Sequence, residues 1–148
     1  MTNSVISNPV DSEYMLAEAN YIAEFMYGLL SELPEEETYY AGSKLRGGAN
    51  DVLFYTAEAL GDTSASATDY DWTATRKHVS GLKTMYRFCS RQQYFEIDPS
   101  VMVRINKFIE QIDVAIDYCR QQTKIEADKD LDQWRQKYKL WKEMSDEN

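Results

Sequence analysis

Histidine occurs once in this sequence, cysteine twice, proline three times and glycine six times, and each scarcity closes off a class of protein. With His78 alone and no Cys-x-x-Cys pair, a zinc site has too few ligands. A ferritin-like di-iron centre needs Glu-x-x-His pairs, and Thr75 stands where that glutamate belongs. Helical ribonucleases of the HEPN type place an arginine several residues before a histidine on one helix; here Arg76 precedes His78 by only two. Cys89 and Cys119 each fall inside an apolar helical pattern, so they read as reduced, buried small hydrophobes. Few prolines and glycines argue against a many-turned β fold. The N-terminus is polar and no apolar run approaches ~18 residues, so neither a signal peptide nor a membrane span is expected and the location is expected to be cytoplasmic. Bases are outnumbered, 16 Lys and Arg against 25 Asp and Glu, giving a formal net charge of −9. That balance disfavours non-specific attachment to nucleic acid or to an anionic membrane. No nucleophile motif or Gly-rich phosphate loop is present. An enzyme is not expected, nor a cofactor or metal. The groups an active site would have to recruit are Glu18, Glu58 and His78, and they lack catalytic companions.

What the 148 residues do contain is helical periodicity, with 43% hydrophobic and 28% charged residues suited to one folded domain. Residues 1–10 have no period and are expected to form a flexible arm. Asp11 or Ser12 caps a first helix running to about Ser31 or Glu32. Its polar positions Glu13, Asn20, Glu24 and Ser31 make one narrow stripe, and almost everything else is apolar. That apolar arc exceeds the roughly 100° a surface helix needs, which points to a second buried face and hence a partner subunit. Glu18 falls within the apolar side and needs either a partner or a seam open to solvent.

Leu33-Pro34 stops that helix, and Glu35-Glu36-Glu37 are expected to open a second one running to Leu60. Its inward stripe is Ala41, Leu45, Ala49, Val52, Thr56 and Ala59, with Gly61 available for a left-handed cap. Arg46, Asn50, Asp51 and Glu58, joined by Lys44, form a polar cluster read as a seam for register or assembly. A third helix is expected from Thr68 or Asp69 to Gln93, buried through Trp72, Val79, Leu82, Met85, Tyr86 and Cys89. No acid occurs from Trp72 through Phe95, a window holding Arg76, Lys77, Lys83, Arg87 and Arg91. These form a basic stripe, either a nucleic-acid surface or a subunit interface.

Asp98-Pro99 marks a fourth helix, with core positions Val101, Ile105, Phe108, Ile112, Ala115, Ile116 and Cys119 and an end near Gln122. Such helices with short connections predict an all-α fold, an up-down-up-down antiparallel four-helix bundle over 11–122. Residues 123–148 change character. Leu131, Trp134, Tyr138 and Trp141 recur at three, four and three amid dense charge, the mark of an additional C-terminal amphipathic helix or tail that docks on the bundle or on a neighbour.

The second helix also resembles a known pattern. Leu33-Pro34-Glu35-Glu36, Leu45-Arg46, a small-residue stretch, Asp51-Val52 and Ala57-Glu58-Ala59 resemble the four-helix bundle proteins encoded within intervening sequences of bacterial 23S ribosomal RNA genes. That family is related in fold to the accessory proteins of diversity-generating retroelements. Asp51, Tyr55, Thr56 and Ala59 stand where the family has serine, asparagine, isoleucine and glycine. The resemblance spans about 12–122 and implies a ring-forming bundle, commonly a pentamer, without enzymatic activity. For the retroelement relatives it implies contact with nucleic acid and a reverse transcriptase through a strongly basic surface, which a net charge of −9 does not supply. Independently, acids on the first helix (Glu13, Glu18, Glu24) and bases on the third favour a head-to-tail contact between copies.

Overall fold

The computed structural model describes residues 7–147, and all regular structure among them is helical. Helix α1 spans Ser12–Leu29, and the Asp11 carboxylate accepts from Tyr14 N–H at 3.2 Å to cap it. A 3-10 turn at Leu30–Glu32 carries the chain into Leu33-Pro34. The three acids do not open the second helix. They form a separate 3-10 turn, Glu35–Glu37, closed by Glu37 N–H to Pro34 C=O and Thr38 N–H to Glu35 C=O. Glu37 and Thr38 offer nothing apolar to extend the inward stripe, and Tyr39 and Tyr40 point into water. Helix α2 therefore begins only at Ala41 and runs to Gly61.

Gly61 keeps a right-handed conformation, and the chain leaves α2 through extended Asp62 instead of a left-handed glycine. Ser64 then caps α3, Ala65–Arg91, by accepting from Ala67 N–H at 3.2 Å. An effective serine cap accounts for a start a few residues earlier than the expected Thr68. The left-handed turn comes after α3, at Gln93 with φ 64°. There Gln93 N–H donates to Ser90 C=O and Tyr94 N–H to Cys89 C=O, the paired bonds of a Schellman ending. Helix α4 opens as expected at Asp98-Pro99, and the Tyr86 hydroxyl accepts from Asp98 N–H at 2.8 Å, tying its start to α3.

The expected break at Gln122 is absent. Helix α4 continues unbroken to Asp146, so residues 123–146 extend the fourth helix instead of forming a fifth. Neither proline nor glycine occurs anywhere beyond Pro99, and without such a breaker the hydrogen-bond ladder carries on. Of the expected arm, residues 7–10 are irregular, with Val10 packed on the core; residues 1–6 lie outside the described residues.

The four helices pack against one another around Met15, Ile22, Met26, Leu45, Val52, Trp72, Val79, Tyr86, Ile105, Phe108 and Ile112. Phe25 and Phe95 flank the Tyr86 ring, edge-on and stacked. Gly48 brings α2 close to α3: a Cβ there would lie 2.6 Å from Leu82 Cδ2. The hydroxyl of Thr56, fully buried, finds no hydrogen-bond partner among the described residues.

Candidate functional site

Four places hold side chains beyond what the core needs. The first is the seam between α1 and α4. Glu18 faces inward on α1 because Met15, Ala19 and Ile22 share its side, and Arg104 of α4 reaches it with two hydrogen bonds of 2.7 and 3.1 Å. The guanidinium also lies over the Tyr21 ring, 3.3 Å from its centroid. Glu18 is thus engaged within the chain. Arg104 was not legible as its partner, although Arg104 does sit between two apolar residues, Val103 and Ile105, on a core helix.

The second place is the open groove between α2 and α3, with Gly47, Gly81 and Lys77 among its lining residues. Asp51 Oδ2 lies 3.5 Å from His78 Nδ1, and the Tyr55 ring stacks on the imidazole at 5.3 Å and 8°. A carboxylate behind a histidine can orient an imidazole for proton transfer. Here the contact is long, and Tyr55 covers one ring face. The polar cluster expected on α2 does not gather. Asn50 turns toward α1 and accepts from the Tyr27 hydroxyl at 2.6 Å, while Asp51 turns toward α3. Arg46 and Glu58 are exposed, Glu58 lying toward the far end of α2.

The third is the expected basic stripe. Arg76 is paired with Asp113 of α4 at 2.6 Å, and that bond and charge hold its guanidinium pKa above the usual value. Lys83 and Arg87 join Arg76 along the α3–α4 groove, which also contains Glu110. Lys77 faces the opposite groove and Arg91 is exposed at the end of α3. Arg120 holds Asp69 at 3.2 Å further along the same seam. The stripe is therefore partly neutralised by α4.

The fourth is the extension of α4. Trp134, Tyr138 and Trp141 do not reach the bundle, because the unbroken helix carries them past its end. The Trp134 and Tyr138 rings stack at 5.6 Å, Trp141 lies tilted against Tyr138 at 6.0 Å, and the three remain 62%, 51% and 63% exposed.

One buried acid escaped the sequence reading. Asp71 sits beside Trp72, with 7% of its surface exposed. Burial, then hydrogen bonding to Asp62 and the charges of Asp62 and Glu58, push its carboxyl up to about 6. The available signal was its place one turn before inward-facing Thr75. Burial also pushes both cysteine thiols up, with Glu37 adding to the effect at Cys89 and Asp69 at Cys119, which makes them poor nucleophiles. Among the described residues no three His, Cys, Asp or Glu side chains gather as a metal site, and no helix is long and apolar enough to cross a membrane. Comparison of the chain with protein-family models, curated proteins and solved structures gives no match.

Proposed function

We propose that this chain is a non-enzymatic, homo-oligomeric scaffold or adaptor, an up-down-up-down four-helix bundle whose copies join head to tail into a ring. Pairs between α3 and α4 support the antiparallel order, since they climb one helix while descending the other: Asp69 with Arg120, Arg76 with Asp113. The observation that carries the assembly is what the bundle leaves outside. Helix α1 exposes Glu13 and Glu24 together with Leu16 and Tyr27, and α3 exposes Arg87 and Arg91 together with Phe88. Acidic and basic faces on different helices of one subunit form a heterologous contact, which closes when the rotation allows. A pentamer is the size implied by the family resemblance, which spans about 12–122 and is carried by the motif residues of 33–59.

Light scattering on the purified protein tests this reading. A mass several times that of the 17.2 kDa chain is expected, falling when Arg87 and Arg91 are both changed to Glu; a monomer at micromolar concentration defeats it. The runner-up is a nucleic-acid-binding accessory protein using Arg76, Lys77, Lys83, Arg87 and Arg91. It predicts salt-sensitive binding to RNA or DNA, abolished by the same reversals with the mass unchanged. The Arg76–Asp113 pair and the presence of Glu110 favour the subunit interface.

A further inference from the structure

Residues 126–146 of α4 are exposed throughout, a projection of about 32 Å at 1.5 Å per residue. Helices are held chiefly by packing of an apolar face, and here Leu131, Trp134, Tyr138 and Trp141 are all exposed, with no other helix of the described residues covering them. Leu131, Trp134, Tyr138 and Trp141 follow the alternating four- and three-residue spacing of a coiled-coil seam, with Lys124 and Ala127 one heptad earlier. The charges beside that seam come in blocks. Glu126, Asp128, Asp130 and Asp132 crowd residues 126–132 against Lys129 alone; Arg135, Lys137, Lys139 and Lys142 follow over 133–142 with no acid among them, before Glu143, Asp146 and Glu147 close the segment. Within one helix this places like charges four residues apart, as at Glu126–Asp130, Asp128–Asp132 and Arg135–Lys139, which is unfavourable. Among the described residues the projection's ion pair, Arg135 with Asp132, spans 3.9 Å at the boundary between the blocks.

We propose that this projection pairs antiparallel with the same segment of a second copy. A parallel pair would set acid block on acid block; an antiparallel pair sets acid on base. Side-chain sizes and charges select one register. In it Leu131 packs on the partner's Trp134, Tyr138 on the partner's Ala127, and Trp141 on the stem of the partner's Lys124. Positions flanking an antiparallel seam then match Asp128 with the partner's Arg135 and Asp130 with the partner's Lys137, each twice by symmetry. Sliding by one heptad instead opposes Arg135 to the partner's Arg135 and Lys137 to the partner's Lys137, so that register is rejected. An anionic membrane is disfavoured as the occupant by the acids that border the same seam. The contact is two-fold and separate from the bundle faces, so it stands whether or not those faces form a ring.

Charge reversal in the full-length chain tests the pairing. Asp128→Lys with Asp130→Lys, or Arg135→Glu with Lys137→Glu, is expected to halve the mass seen in sedimentation and shift the tryptophan emission to the red. Mixing the two variants, or combining all four changes in one chain, is expected to restore both signals. Arg87→Glu with Arg91→Glu leaves the tail pairing intact, which separates it from the bundle-face contact. The proposal is overturned if neither double variant changes the mass, if mixing fails to restore it while circular dichroism shows helix intact, or if the emission of the unaltered chain moves only on adding anionic vesicles.

Discussion

Glu18 and Arg104 meet fork to fork across the α1–α4 seam, Nη2 2.7 Å from Oε1 and Nε 3.1 Å from Oε2, although they lie 86 residues apart. The Glu18 side chain is 11% exposed and the Arg104 side chain 40%, so the two partners are not equivalent. Loss of the base strands a carboxylate in the core; loss of the acid leaves a cation that can reach water.

Arg104→Met is accordingly expected to cost about 2–3 kcal/mol, below the full value for an uncompensated buried charge because Arg104 is partly solvated. Glu18→Gln keeps an acceptor for the guanidinium and should cost only about 1 kcal/mol. Urea unfolding of the two variants measures the difference. Equal losses, or the reverse order, mean that the pair is a surface contact.

Gly47 and Gly48 are neighbours with opposite expectations. A Cβ at Gly47 meets nothing within 4 Å, so Gly47→Ala should stabilise by about 0.5–1 kcal/mol through helix propensity alone. A Cβ at Gly48 would lie 2.6 and 2.9 Å from Leu82 atoms. Overpacking of about 1–3 kcal/mol outweighs the propensity gain there, and a net loss of about 1 kcal/mol is expected. Melting curves of the two single variants decide it; a stabilising Gly48→Ala means that Leu82 moves aside freely.

Asp71 makes stability fall with rising pH. Its folded pKa of about 6 lies above the ordinary 3.8, so between those values the folded state holds a proton that the unfolded chain has lost. The favourable contribution is complete below pH 3.8 and is lost as pH climbs through 6. The expected fall is about 1–2 kcal/mol, reduced because solvent screens its exposed neighbour Asp62. Asp71→Asn should abolish that part of the pH profile and raise stability at neutral pH. Superimposable profiles for the two proteins show that Asp71 ionises like an exposed acid.

Much of the helical content was legible because it rests on short-range patterns. Ala41, Leu45, Ala49, Val52, Thr56 and Ala59, read as one inward stripe, are all buried, as are the core positions named on α4 from Val101 to Cys119. The aspartate–proline start of α4 was equally local. Where local signals conflict the reading was poorer. Three glutamates satisfied a rule for helix starts, yet the apolar stripe that carries α2 begins only at Ala41. At Gln122 a change in composition suggested an end, but composition alone does not break a hydrogen-bond ladder, and α4 runs on to Asp146.

The polar cluster on α2 shows the same limit for the candidate site. Spacing placed Asn50 and Asp51 in one group, but adjacent helical residues point about 100° apart, and they turn toward different neighbours: Asn50 to Tyr27 of α1, Asp51 to His78 of α3.

The sequence by itself determined the helices, most of their inward faces and the block charge of the tail, because each follows from residues within one or two turns. Tertiary structure alone decided that Glu18 has Arg104, that Arg76 is neutralised by Asp113, and that Asp71 is buried near Asp62. Those outcomes depend on which helix faces which, and at what height. They arise from the joint packing of whole apolar faces, a property that no single stretch of chain encodes.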